Sequence, residues 1–170
     1  MRAVAIGLGA NLGDPAAQMR RALGALVFSG VLQQLRCSPF VRSPALQRPD
    51  DPEPAPDYCN AVALGLTSLA PVELLAALKS LEAQAGRDFS APRWSSRELD
   101  LDLLDCADCC MEEAELRLPH PGIAQRDFVL QPWLALDPKA RLADGRSLAE
   151  LASGLKSAAL PPWEPLAVPR

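Results

Sequence analysis

Apolar residues dominate from Ala3 to Leu8 (AVAIGL), which predicts a first strand. Gly7, Gly9 and Gly13 crowd the segment that follows and predict a tight turn. Asp14 is suited to cap a helix and Pro15 to open one. Met19, Leu23, Leu26 and Val27 then fall at i, i+4, i+7 and i+8, the spacing of an amphipathic helix. Residues 31–41 predict a second strand ending at Phe40-Val41. The proline-rich, acidic stretch from Ser43 to Asp57 predicts a long loop. Over 58–66 the pattern alternates, with Tyr58, Asn60, Val62, Leu64 and Leu66 on one face and Cys59, Ala61, Ala63 and Gly65 on the other, a third strand. Pro71 opens a second helix with Leu74, Leu75, Leu78 and Leu81 as its stripe and Gly86 as its stop. A second loop covers 87–97, and a fourth strand follows. A hairpin near Asp105–Glu113, short helices over 127–136 and 148–155, and an irregular Pro-rich tail from about 160 complete the chain. There is no repeat and no linker, so 1–170 is expected to be one domain. The order βαββαβ predicts a two-layer α+β sandwich with a mainly antiparallel sheet.

The fourth strand carries an anomaly. In RWSSRELDLDLL (Arg93 to Leu104), Leu99, Leu101 and Leu103 share one face of a strand, while Asp100 and Asp102 share the other with Leu104. Two carboxylates about 6.5 Å apart along a strand, at about 3.3 Å rise per residue, repel one another unless a cation compensates them. The alternative is an exposed edge strand with scattered charge.

Composition narrows the classes. The 170 residues are 49% hydrophobic and 22% charged, enough for a proper core. The formal net charge of −4 argues against a general nucleic-acid binder. No apolar run reaches membrane-spanning length, and the N-terminus lacks the pattern of a signal peptide. Five cysteines without a spaced framework are expected to be reduced thiols in a cytoplasm. The cations comprise 14 arginines and 3 lysines. Arginine's planar fork suits phosphates, but the Ala-, Pro- and Arg-rich composition also fits a GC-rich gene, so arginine positions carry more meaning than their total.

Several motifs admit two readings. GLGANLGD is not a GxGxxG or Walker A loop, and is either a phosphate-cradling turn or a plain strand-to-helix turn. Cys106, Cys109 and Cys110 (CADCC) resemble half a zinc site but lack a second pair of ligands, so small residues in a hairpin explain them better. His120, the single histidine, stands between two prolines that limit its backbone freedom, and is either a structural or a positioned functional group. Tyr58 and Asn60, on one strand face, are either core or readers of a flat, hydrogen-bonding heterocycle. Asp100 and Asp102 suit Mg²⁺, which takes few carboxylates and keeps phosphate ligands. Arg87, Arg93 and Arg97 lie in the loop just before them, within reach of such phosphates. A metal, an arginine clamp and a positioned acceptor are the parts that phosphoryl transfer requires.

With these parts in view, the chain resembles the 6-hydroxymethyl-7,8-dihydropterin pyrophosphokinase family of folate biosynthesis. The resemblance rests on GANLGD at 9–14, PDYCN at 56–60, GR at 86–87, RWSSRELDLDLL at 93–104, LPHP at 118–121 and RDFVLQP at 126–132. It implies a ferredoxin-like fold with added C-terminal helices. It also implies transfer of pyrophosphate from ATP to the pterin's hydroxymethyl group, with release of AMP. By position, Asp100 and Asp102 would hold two Mg²⁺ ions, with Asp100 also near the pterin. Arg87, Arg93, Arg97, His120 and Arg126 would meet ATP, with Glu82 near the nucleotide; Arg87 and Arg97 would also act in catalysis. Tyr58 and Phe128 would sandwich the pterin, Asn60 would bond its edge, Trp94 would close over the site, and Ser43, Pro44 and Leu46 would form the pterin-side loop.

The chain departs from the family pattern at Phe89, where many members carry arginine, at Ser95-Ser96, at Glu115 and at CADCC. The loop from Arg87 to Arg97 is expected to close over the substrates. A monomeric, cytoplasmic enzyme without nucleic-acid or membrane partners is the expectation. Its rival is a non-catalytic ferredoxin-like module that binds a metal or nucleotide.

Overall fold

The computed structural model describes residues 1–45, 55–87 and 96–163. In chain order these form β1 (Arg2–Ala10), α1 (Pro15–Phe28), β2 (Gln33–Cys37), β3 (Val41–Ser43), β4 (Tyr58–Thr67), α2 (Pro71–Gln84) and β5 (Asp100–Cys106). Then come β6 (Met111–Glu112), β7 (Arg117–Leu118), a 3-10 turn (Ile123–Gln125), α3 (Asp127–Leu136) and α4 (Leu148–Leu155). The main sheet runs β2-β4-β1-β5, with β3 also on β4, and all its pairings are antiparallel. β6 and β7 form a separate hairpin.

Two expected boundaries move. The strand expected over 31–41 is split at Ser38-Pro39-Phe40 into β2 and β3, which follow one another along the same edge of β4. Proline cannot donate to a ladder, so Ser38 substitutes. Its N–H donates to the Val62 carbonyl at 2.9 Å, and its hydroxyl accepts the Val62 N–H at 3.0 Å. β1 also runs two residues further than expected. Gly7 and Gly9 therefore lie inside the strand, and only Gly13, at φ +64°, serves the turn.

The helices form where their caps and stripes predict. Asp14 accepts the Ala17 N–H at 3.0 Å and Pro15 opens α1. Glu73 accepts the Ala70 N–H at 2.7 Å at the start of α2. Both helices pack on the sheet face formed by Val4, Ile6, Leu8, Cys59, Ala61, Ala63, Leu101 and Leu103. Ile6, Met19, Leu26, Leu74, Leu78 and Leu101 are fully buried there, each side chain contributing about 1.5–3 kcal/mol of transfer free energy.

The opposite sheet face is not left to solvent, as a strict two-layer sandwich would leave it. α3 and α4 cover its far half, burying Val62 and Leu104 against Val129, Leu130, Trp133 and Leu148. A bulge in β5 contributes. Leu103 pairs with Ile6 and Asp105 with Ala5, so Leu104 is the extra residue, and Leu104 and Asp105 both turn toward this second core. The near half of the same face stays open where α3 begins, and a cleft lies there.

Candidate active site

The cleft, of about 320 Å³, has β1, β4 and β5 as its floor. Antiparallel register places Asn60, Gly9 and Asp100 in one row across the sheet, and Val62, Gly7 and Asp102 in the next. Asn60 and Asp100 are thus two strand spacings apart, about 9.5 Å. The two glycines create the space between them. A Cβ on Gly9 would stand 3.3 Å from Asn60 Oδ1, and one on Gly7 would stand 3.4 Å from the Leu104 methyls. GLG is therefore the floor of a site, neither a phosphate loop nor a turn.

The β5 side of the cleft is ionic. Asp100 accepts Arg87 at 2.7 Å on Oδ1 and Arg97 at 2.7 Å on Oδ2. Asp102 accepts Arg126 at 3.1 Å. Three guanidiniums thus face the two carboxylates. Arg126 also lies over the Phe128 ring, 6.0 Å from its centroid. His120 is anchored by its own N–H, which donates to the Leu104 carbonyl at 2.7 Å. Its Nδ1 accepts the Gly122 N–H at 3.0 Å, so the neutral ring carries its proton on Nε2 and acts as a donor. Burial pushes its pKa down, with Arg126 adding to that effect and Asp102 opposing it.

The β4 side is flatter and less charged. Tyr58 and Phe128 line it with Ser43 and Pro44. Asn60 is buried and donates through Nδ2 to the Ser43 hydroxyl at 2.8 Å, which fixes the amide with Oδ1 toward Gly9. Burial raises the Tyr58 phenol pKa, while Arg97 lowers it and Asp100 raises it. One wall thus offers arginines and carboxylates, the other aromatic rings and an amide.

Eleven of the expected residues line this one cleft: Ser43, Pro44, Tyr58, Asn60, Arg87, Arg97, Asp100, Asp102, His120, Arg126 and Phe128. Leu46, Arg93 and Trp94, Phe89 among the departures, and all of the closing loop except its ends lie outside the described residues. The Glu82 side chain is fully buried behind the cleft, where it accepts the Leu101 N–H, Lys79 and Arg87 and so positions Arg87 and β5.

Sequence reasoning missed Asn11. This buried residue accepts the Arg97 N–H at 2.7 Å on Oδ1, and its Nδ2 donates to the Pro56 carbonyl at 3.0 Å and the Ser96 hydroxyl at 3.2 Å. Its own N–H donates to the Arg97 carbonyl at 3.0 Å. It ties both loops to the end of β1, and its place inside GANLGD was the available signal. Cys106, the last residue of β5, is buried, while Cys109, half-buried, and Cys110, exposed, lie in the turn before β6. Among the described residues, no group of three or more His, Cys, Asp or Glu assembles to hold a metal.

The sequence profile of 7,8-dihydro-6-hydroxymethylpterin-pyrophosphokinase matches residues 5–138. The chain is 38% identical over 148 residues to 2-amino-4-hydroxy-6-hydroxymethyldihydropteridine pyrophosphokinase of Pseudomonas aeruginosa, covering 87% of this chain and 88% of that one. It is 34% identical over 146 residues to the protein of the same name from Haemophilus influenzae, covering 86% of this chain and 88% of that one. Among solved structures, the HPPK-DHPS of Plasmodium falciparum aligns with a TM-score of 0.62 at 12% identity, over 91% of this chain and 43% of that one, and so shares the fold. The chain therefore belongs to the 7,8-dihydro-6-hydroxymethylpterin-pyrophosphokinase family, and it is an ATP-dependent pyrophosphokinase of folate biosynthesis.

Proposed function

We propose that the two walls of the cleft divide the two substrates of the transfer from ATP to 6-hydroxymethyl-7,8-dihydropterin. The observation that carries this is the row Asn60–Gly9–Asp100, which sets an amide and two rings on one side of a glycine gap and the ionic cluster on the other. The pterin lies between Tyr58 and Phe128, with its edge on Asn60 and its border at Ser43 and Pro44, and Leu46 belongs to that side by sequence position. Asp100 stands where pterin and nucleotide meet. Arg87, Arg97 and Arg126 hand over from the carboxylates to the ATP phosphates, which accept guanidinium forks in the same way. His120 donates from Nε2, and Arg93 and Trp94 belong to the nucleotide side by sequence position, Trp94 also bordering the pterin.

Asp100 and Asp102 suit Mg²⁺ by their chemistry. They are hard oxygen donors on one strand face, half-exposed toward the cleft, and too few to form a cage without phosphate ligands. When bound, Mg²⁺, proposed as two ions, neutralises the charge that develops on the transferring group. The protein's own part is to align the hydroxymethyl oxygen with the β-phosphorus and to meet the developing charge with arginines. That oxygen bonds to the β-phosphorus as the bond from this phosphorus to the α,β-bridging oxygen breaks; AMP leaves, and the hydroxyl proton passes to solvent. The core, with β2 and β3 acting together as one strand, fits a ferredoxin-like arrangement. Five free thiols fit a reducing cytoplasm, and a monomer is part of the same proposal.

The test is AMP release from ATP, Mg²⁺ and pterin by the wild type and by Asp100→Asn and Asp102→Asn. Both variants are expected to fold and to lose turnover. Wild type that binds ATP without releasing AMP would be a binding module, and near-normal turnover in either variant would remove the metal role.

A further inference from the structure

Residues 158–163, beyond α4, form no helix or strand of their own, as the sequence pattern predicts, yet they are tied to the fold. They lie along the free edge of β3 and join its ladder. The Arg42 N–H donates to the Pro161 carbonyl at 2.8 Å, and the Trp163 N–H donates to the Phe40 carbonyl at 2.9 Å, on either side of an antiparallel bridge between Val41 and Pro162. Gln131, in α3, holds the same segment from the other side. Its amide nitrogen donates to the Ala158 carbonyl at 2.8 Å, and its amide oxygen accepts the Leu160 N–H at 2.8 Å. The Trp163 ring lies under the Arg42 guanidinium, 4.9 Å from ring centroid to Cζ, and Arg42 in turn pairs with Asp57 at 3.6 Å, beside Tyr58.

Three supports of one wall meet in this strap. β3 carries Ser43, whose hydroxyl receives the Asn60 amide; α3 carries Phe128; Asp57 precedes Tyr58. We propose that residues 158–163 are a buttress of the pterin-side wall, with Trp163 and Gln131 as positioning residues for pterin binding. The inference rests on the assignment of that wall to the pterin. A strap bonded to β3 and α3, and linked through Arg42 to Asp57, fixes their spacing before a ligand arrives, and preorganisation of that kind reduces the ordering cost of binding. Among the described residues, the arginine side of the cleft has none of these bonds to the strap, so the effect is selective for one substrate.

The experiment is separate titration of 6-hydroxymethylpterin and of a non-hydrolysable ATP analogue into the full chain and its variants. Trp163→Ala and Gln131→Leu are each expected to raise the pterin Kd about fivefold, the loss of one cation–π contact or its equivalent, with the ATP-analogue Kd unchanged. Trp163→Phe, which keeps a ring under Arg42, is expected to restore pterin binding. An unchanged pterin Kd in both truncating variants overturns the proposal, as does an equal loss for both ligands. If Trp163→Ala does not fold, Gln131→Leu alone decides between these outcomes. Tyr58→Ala separates the two levels. If it leaves pterin binding intact, the wall assignment fails; if it weakens pterin binding while Trp163→Ala and Gln131→Leu do not, only the buttress fails.

Discussion

The Glu82 carboxylate accepts the Leu101 backbone N–H at 2.6 Å, joining the last turn of α2 to the strand that carries Asp100 and Asp102. β5 is a sheet edge, so this bond satisfies a donor that no strand pairs. The same carboxylate meets Lys79 and Arg87. Burial raises its pKa, and the Leu101 bond and Lys79 oppose that effect. Arg87 is thus held between a buried anion and Asp100.

Glu82→Leu should therefore cost about 3–5 kcal/mol of stability, because the Leu101 N–H loses its acceptor and Arg87 loses the buried one of its two carboxylate partners. Glu82→Gln keeps an acceptor for Leu101 and should cost about 1–3 kcal/mol. Urea unfolding midpoints give both values. A leucine variant as stable as wild type would show that Glu82 does not anchor this end of β5.

Gly9→Ala should fold normally, since among the described residues only Asn60 Oδ1 lies within 4 Å of the added methyl. The methyl would nonetheless occupy the gap between Asn60 and Asp100. Pterin affinity is expected to fall by about 1–2 kcal/mol, a typical overpacking cost, with a smaller change for Gly7→Ala, which meets flexible Leu104 methyls. Calorimetric titration of both variants makes the comparison, and equal affinities in wild type and Gly9→Ala would show that the pterin does not use this gap.

Asp105 sets a pH dependence away from the cleft. One of its oxygens accepts the Ala143 N–H at 3.0 Å, while the other is buried without a partner. Burial pushes its pKa up to about 6, against bonds from Ala143 and Cys106, with Asp144 raising it and Arg146 lowering it. An unfolded aspartate titrates near ~3.9. Between these values the folded chain binds a proton that the unfolded chain does not, so this residue's contribution to stability rises as pH falls. The penalty is fully expressed above pH of about 6 and is relieved below ~3.9. Relative to Asp105→Asn, wild type should gain about 2 kcal/mol between neutral pH and pH of about 4. Parallel unfolding curves across that range test it; a constant difference would mean that Asp105 titrates normally.

The local pattern of this chain carried most of its fold. Asp14-Pro15, the leucine stripe of α2 and the segments 127–136 and 148–155 specify helices through caps and periodicity, which act within a few residues. The alternation over 58–66 specifies a strand whose two faces enter two different cores. The site was legible where chemistry is concentrated in short motifs, above all in RWSSRELDLDLL and LPHP. What tertiary structure alone decided depends on residues far apart in sequence. Gly7 and Gly9 signal a turn locally, but antiparallel register sets them between Asn60 and Asp100 and makes them a floor. Glu82 carries the charge of a ligand contact, and the α2–β5 packing alone buries it and makes it an anchor. Asn11, whose local signal is its place in GANLGD, and Trp163, which has none, act through partners that lie tens to more than a hundred residues away. Periodicity and motif are local quantities, whereas burial and cross-strand neighbours exist only once the chain has closed on itself.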